Sequence, residues 1–180
     1  MKILVACEFS GIVRDAFQEA GHNAWSCDLI ESETAGNHIQ GDVLDYLDDG
    51  WDMMIGFPPC TYLAVSGARW HSGTPQQDGA LDFVLELLNC DIPRIAIENP
   101  VGAINSQICK PDQIIQPWQF GHGETKKTCL WLQELPLLKP TLIVNGRIPR
   151  VHWEGPSDRR WKDRSRTYKG IARAMAEQWG

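Results

Sequence analysis

Cys60 stands behind two prolines in the run Asp52-Met53-Met54-Ile55-Gly56-Phe57-Pro58-Pro59-Cys60. Proline cannot donate to a sheet ladder, so a strand over Asp52–Phe57 must stop there and leave the cysteine just past its end. The Pro-Pro approach also holds that backbone at little entropic cost. A thiol so placed is accessible and, once deprotonated, strongly nucleophilic, the more so beside a positive group. The same residue could be a structural thiol after a turn. Glu98 closes the apolar run Ile95-Ala96-Ile97 and precedes Asn99-Pro100. A carboxyl at the mouth of a buried strand can have its pKa raised and act as an acid or hydrogen-bond partner. It could instead pair with Arg94 or cap a helix. Asp28 follows the first apolar run, Lys2–Ala6, by about twenty residues, where α/β folds place the acid that binds a ribose hydroxyl. A turn-forming role at a strand end is the alternative.

The loop after the first strand, Glu8-Phe9-Ser10-Gly11-Ile12-Val13, holds one glycine. It is not G-x-G-x-x-G, which argues against a pyrophosphate-bearing dinucleotide. A nucleoside cofactor without phosphate needs less backbone approach, and S-adenosylmethionine is the obvious one. The six cysteines form no C-x-x-C pair and the five histidines no H-x-x-x-H pair. No metal site is expected, and a disulfide framework is not expected either. A thiol hydrolase using Cys60 with His71 has no motif around the histidine to support it.

These residues need elements to hold them. Lys2–Ala6 reads as a first strand and is too short for a signal peptide. Ile12, Val13, Ala16, Phe17 and Ala20 recur at helical spacing, and Gly21 ends the pattern. Asn23–Cys27 reads as a second strand ending at Asp28, and His38–Val43 as a third ending near Asp42. Thr61–Gly79 reads as a long surface loop, a type that is usually functional. Ala80, Leu81, Val84, Leu87 and Leu88 mark an amphipathic helix. Arg94–Glu98 is a fifth strand, residues 101–125 look irregular, and Lys127–Leu132 and Thr141–Val144 are further strand candidates. Ile171, Ala174, Met175 and Trp179 form the stripe of a C-terminal helix. Alternating strands and helices indicate an α/β domain with a mostly parallel sheet, read as a single domain over 1–180. Ligands of such sheets bind beyond the carboxyl ends of the strands, where the unusual residues lie.

In that order the residues carry a resemblance. Met54-Ile55-Gly56-Phe57-Pro58-Pro59-Cys60 followed by Ser66-Gly67 resembles the Pro-Cys loop of the DNA cytosine-5 methyltransferases. Ala96-Ile97-Glu98-Asn99-Pro100 is similar to their Glu-Asn motif, Phe9-Ser10-Gly11-Ile12 to their first cofactor motif, and Asp28 and Gly41-Asp42-Val43 to the second and third. The resemblance implies a Rossmann-like S-adenosylmethionine-dependent methyltransferase fold with helices on both faces of the sheet. It implies that Cys60, Glu98 and Asn99 are catalytic, with Cys60 attacking C6 of a cytosine and Glu98 binding N3 and the exocyclic amine. It implies cofactor contacts from Phe9, Ser10, Gly11, Asp28, Asp42, Phe57 and Pro58. Beyond residue 100 the match thins. Lys126 or Lys127 would stand in for a base-binding arginine, as a point charge rather than a fork. Lys169-Gly170-Ile171 lacks the family's Gly-Asn pair.

Composition bounds the rest. Of 180 residues, 43% are hydrophobic and 22% charged, ordinary for a globular chain. No apolar run is long enough to span a membrane, and with no secretory signal a cytoplasmic location is expected. The net charge of −6 is uneven: residues 1–138 hold seven Lys/Arg against nineteen Asp/Glu, and residues 139–180 hold ten against four. The basic segment at about 147–169, with Arg159, Arg160, Arg164 and Arg166, suits a phosphate-bearing partner, with Ser66 as a further DNA contact. The alternative for that segment is a solvated charged loop. The resembled family usually carries a separate recognition domain where this chain has only thirty-five residues between Leu132 and Tyr168. DNA methylation with low sequence specificity is therefore expected, unless a second copy or a partner chain supplies the recognition surface. A cytosine nucleotide, RNA, or a non-catalytic nucleic-acid-binding role remain as alternatives.

Overall fold

The computed structural model describes residues 1–149 and 160–180. Strands β1 (Lys2–Ala6), β2 (Asn23–Asp28), β3 (His38–Gln40), β4 (Met53–Gly56), β5 (Arg94–Pro100), β6 (Gln113–Ile115) and β7 (Thr128–Gln133) form one sheet in the order β3-β2-β1-β4-β5-β7-β6. β1 to β5 run parallel, and β7 is antiparallel to both β5 and β6. The helices are α1 (Ile12–Glu19), α2 (Ala68–His71), α3 (Pro75–Asn89), α4 (Ala103–Gln107), α5 (Arg160–Ser165) and α6 (Lys169–Trp179). From β1 the chain moves outward to β2 and β3, then returns to β4 on the other flank of β1. The loops leaving β1 and β4 therefore diverge and open a crevice at the carboxyl edge of the sheet.

Side-chain alternation along the strands builds two cores. Ile3, Val5, Met53, Ile55, Ala96 and Leu130 face α1 and α6, whose Val13, Phe17, Ile171, Ala174 and Met175 are fully or nearly buried. Leu4, Ala6, Met54, Ile95, Ile97 and Trp131 face the other way, against Leu81, Val84 and Leu87 of α3 and Ile104 of α4. This is the α/β Rossmann-like architecture that the alternation of patterns predicts.

Several elements differ from the sequence reading. The third strand is only His38–Gln40, because Asp42 accepts from Leu44 N at 3.1 Å and starts a 3-10 turn over Val43–Tyr46. The expected loop Thr61–Gly79 contains a 3-10 turn (Val65–Gly67), α2 and the first turn of α3. Thr74 caps α3 by accepting from Gln77 N at 3.3 Å, with Pro75 next, a start signal that polar composition masks. Residues 101–125 hold α4, β6 and a 3-10 turn at Pro117–Gln119. Thr141–Val144 makes only a bridge, Phe120 to Leu142, not a strand. The fifth strand, expected to end at Glu98, continues through Asn99 and Pro100, because β5 outruns β4 and pairs with β7 as far as Pro100.

Where β5 leaves the sheet, Ala103 N donates to Leu63 O at 2.7 Å and Val65 N to Val101 O at 3.0 Å. The backbones are so close that a Cβ on Gly102 would sit 1.8 Å from Leu63 O. Gly102→Ala should therefore cost about 1–3 kcal/mol, read as a lower denaturation midpoint. An unchanged midpoint would mean that this brace is not made.

Candidate active site

β4 ends at Gly56, in register with Ile97, while β5 runs three residues further beside β7. Phe57 N still donates to Ala6 O at 3.0 Å, and then Pro58-Pro59-Cys60 turns away. Asn99 is buried and donates from Nδ2 to Pro58 O at 2.7 Å. One hydrogen bond thus joins the free end of β5 to the carbonyl two residues before Cys60. Such a side-chain bond to an ordered loop carbonyl is worth about 1 kcal/mol net, and more if broken in a dry site. Asn99 Oδ1 is buried without a partner among the described residues.

The arrangement sets the charges around the thiol. Cys60 is exposed, but its thiol is pushed above the ordinary range by the protein around it and then by the Glu98 carboxylate, while Lys126 and Arg164 pull it down. The Glu98 carboxyl is also pushed up, chiefly by burial, against the pull of Lys126 and a hydrogen bond with Thr128. Glu98, Lys126, Thr128, Thr167 and Tyr168 line a small recess. Lys126 Nζ donates to Arg164 O at 2.8 Å, which fixes the ammonium at the start of β7. A thiol, a carboxyl whose pKa burial raises and two cations therefore share one corner, a combination typical of sites that do chemistry.

A cleft of about 410 Å³ opens beside this corner, lined by Cys7, Asp28, Leu29, Gly41, Asp42, Val43, Pro59 and Phe83 among others. Burial raises the Asp28 carboxyl, which accepts from Ile30 N at 3.2 Å. Cys7, at φ 57, has its thiol driven far up by burial, and Cys27 is pushed up to about 12. Two carboxylates among apolar walls suit a nucleoside with hydroxyl donors and a positive centre. The N-terminus of α1, the usual phosphate cradle, is already taken: Glu8 accepts from Val13 N at 2.7 Å and Arg14 N at 3.2 Å. The donor set fits S-adenosylmethionine and disfavours a phosphate-bearing group.

The other residues singled out by sequence fall in different places. Phe57 is half-buried against the core, and Pro58 accepts the Asn99 bond. Ser10 and Gly11 shape the turn: Ser10 Oγ donates to Glu8 Oε1 at 3.1 Å, and Gly11 sits at φ 74. Phe9 is buried outside the cleft lining, with the Trp161 ring 5.7 Å away and the Lys162 ammonium 5.5 Å over it. Ser66 is exposed on its 3-10 turn, and Lys127 is exposed while Lys126 turns inward. Arg166, expected to meet phosphate, grips Glu33 through both its Nε (2.9 Å) and Nη2 (2.7 Å) and also pairs with Asp163. Arg159 lies outside the described residues, and Arg160 opens α5. Sequence reasoning missed Arg14, fully buried, which donates to Asp15, Ser26, Ser32, Thr34 and Ala35 and so ties down the 32–35 loop. A charge inside the apolar stripe Val13–Phe17 was the available signal. It also missed Gln77. No group of His, Cys, Asp or Glu that could hold a metal ion occurs among the described residues, and no described helix is long and apolar enough to cross a membrane.

The strand order and the crevice define a Rossmann-like α/β fold. The chain is similar to a crystal structure of the S. pombe Dnmt2 methyltransferase, at a TM-score of 0.51 and 17% identity. The match covers 87% of this chain and 56% of that one, so this chain spans just over half its length. At that identity the likeness is one of fold. No family model and no curated protein matches the sequence.

Because Glu98 raises the Cys60 thiol and Lys126 lowers it, Glu98→Gln should move the pH midpoint of Cys60 alkylation down and Lys126→Ala should move it up. The Cys60 peptide is followed by mass spectrometry across a pH series. A midpoint indifferent to both substitutions would mean that the three groups do not share a site.

Proposed function

We propose that this chain is a methyltransferase that moves a methyl group from S-adenosylmethionine to C5 of cytosine in DNA through a covalent Cys60 adduct. The observation that supports the reading most is the bond from Asn99, next to Glu98, to the carbonyl of Pro58, two residues before Cys60. The resemblance of both motifs to the cytosine-5 methyltransferases, and the methyltransferase fold, support it further.

The residues divide the work as follows. Lys126 and Arg164 favour the Cys60 thiolate, which adds to C6 of the cytosine and forms the S–C6 bond. The C5–C6 π electrons shift toward C4 and N3, which leaves C5 nucleophilic, and Glu98, whose pKa burial raises, donates a proton to N3. When bound, S-adenosylmethionine would supply an electrophilic methyl group for C5 and leave as S-adenosylhomocysteine. A base then takes the C5 proton, N3 returns its proton to Glu98, and β-elimination restores the C5–C6 double bond and the thiolate. Asp28 and Asp42 would hold the nucleoside hydroxyls. In a duplex the target base must first leave the stack, at a cost of a few kcal/mol.

Purified protein with methyl-labelled S-adenosylmethionine is offered cytosine-rich duplex DNA, dCTP and RNA in parallel. Label is expected in DNA as 5-methylcytosine and should fall to background in Cys60→Ala. Label confined to dCTP or RNA would overturn the DNA substrate, and transfer undiminished in Cys60→Ala would overturn the covalent route.

A further inference from the structure

Trp70 and Val65 lie on the segment that follows Cys60, and they are 67% and 66% exposed. A single exposed apolar side chain is ordinary. This pair differs in being held out by a braced backbone. Gln77, buried, donates to Tyr62 O at 3.0 Å and accepts from Gly73 N at 3.1 Å, so one side chain binds both ends of the segment. Gln107 of α4 donates to the same Gln77 oxygen at 3.2 Å. Leu63 and Val65 are bonded to the exit of β5, and the His71 ring packs edge-on against Tyr62 with centroids 4.8 Å apart. With so many anchors the segment has little freedom to turn its tryptophan inward.

Charge sets the occupant. From Met53 to Gln77 there is no Asp or Glu, although residues 1–138 hold nineteen. The cation on this segment, Arg69, lies over the Trp70 ring with its guanidinium carbon 4.2 Å from the centroid. A rigid aromatic face backed by a stacked guanidinium, in an acid-free stretch that follows Cys60 along the chain, suits an unstacked base whose phosphate meets the arginine. We infer that the Arg69–Trp70 pair is a stacking platform for a DNA base next to the one that enters the Cys60 site. The inference takes its DNA ligand from the proposed function. It adds that the contact is made by stacking and is tolerant of base identity, because every base has a π face.

The test reads binding without cofactor. A fluorescein-labelled duplex carrying one mismatched cytosine is titrated by anisotropy with wild type, Trp70→Ala, Trp70→Phe and Ile114→Ala, the last an exposed apolar control on β6. Trp70→Ala should weaken binding about tenfold. Trp70→Phe should keep most of the affinity, and Ile114→Ala should match wild type. Thermal melts of all four should coincide, since Trp70 lies on the surface. Trp70→Ala binding within twofold of wild type, or a wild type that does not bind the duplex, would overturn the inference. A protein that binds through Trp70 yet transfers no methyl group would sink the methyltransferase reading and leave the platform standing. Full methylation of DNA by Trp70→Ala with unchanged affinity would do the reverse.

Discussion

A buried hydrogen bond of 2.7 Å, from Asn99 Nδ2 to Pro58 O, ties the Pro-Pro-Cys turn to the overhanging end of β5. The β4–β5 ladder ends at Gly56 and Ile97, and this bond extends the connection past it, to the Pro-Pro-Cys turn. It is possible only because β5 outlasts β4 and β7 supports the overhang from the far side, pairing as far as Pro100 with Thr128. The antiparallel insertion of β7 is thus more than a topological detail. It carries Thr128 to Glu98 and places Lys126 immediately before it. The same overhang leads into the Gly102 contact with Leu63, so the segments before and after Cys60 are both tied to one strand end.

The opposite half of the crevice is built from polar groups turned inward. Glu8 spends its carboxylate on the first amides of α1, and the fully buried Arg14 gathers the loop after β2. A buried guanidinium is tolerated only when its donors are satisfied, and here they are distributed over five residues. That network holds Thr34 and Ala35 while Glu33 N donates to Phe9 O at 2.8 Å. Glu33 in turn receives Arg166, so α5 is docked over the first loop by a bidentate ion pair and by the Trp161 and Lys162 contacts with Phe9. Because this pair is partly exposed, it weakens with salt and contributes orientation more than stability.

The fold was legible because its signals are local: short continuous apolar runs at Lys2–Ala6 and Arg94–Glu98, helical stripes in α1 and α6, and a proline stop after β4. The residues brought together at the strand ends were legible for the same reason. What escaped depended on long-range partners. Nothing local says that Asn99 belongs to a strand, since that rests on a pairing with Cys129, thirty residues on. Arg166 looked like a phosphate contact because its acceptor, Glu33, is 133 residues away. Gln77 sat in a polar stretch with nothing to distinguish it, and its role comes from closing a loop onto itself. The helical start at Thr74-Pro75 was readable by capping chemistry but was hidden inside a run of turn-forming residues.

On the proposed mechanism the Cys60 sulfur bonds to C6 of the base at this corner. A duplex in which the target cytosine carries fluorine at C5 would trap that bond. After thiolate addition and methyl transfer, C5 holds no proton to remove, so β-elimination is blocked and the adduct persists. The account predicts, in the presence of S-adenosylmethionine, a protein–DNA species stable to denaturation whose modified peptide contains Cys60. No trapped species, or an adduct on another exposed thiol such as Cys109, would contradict it.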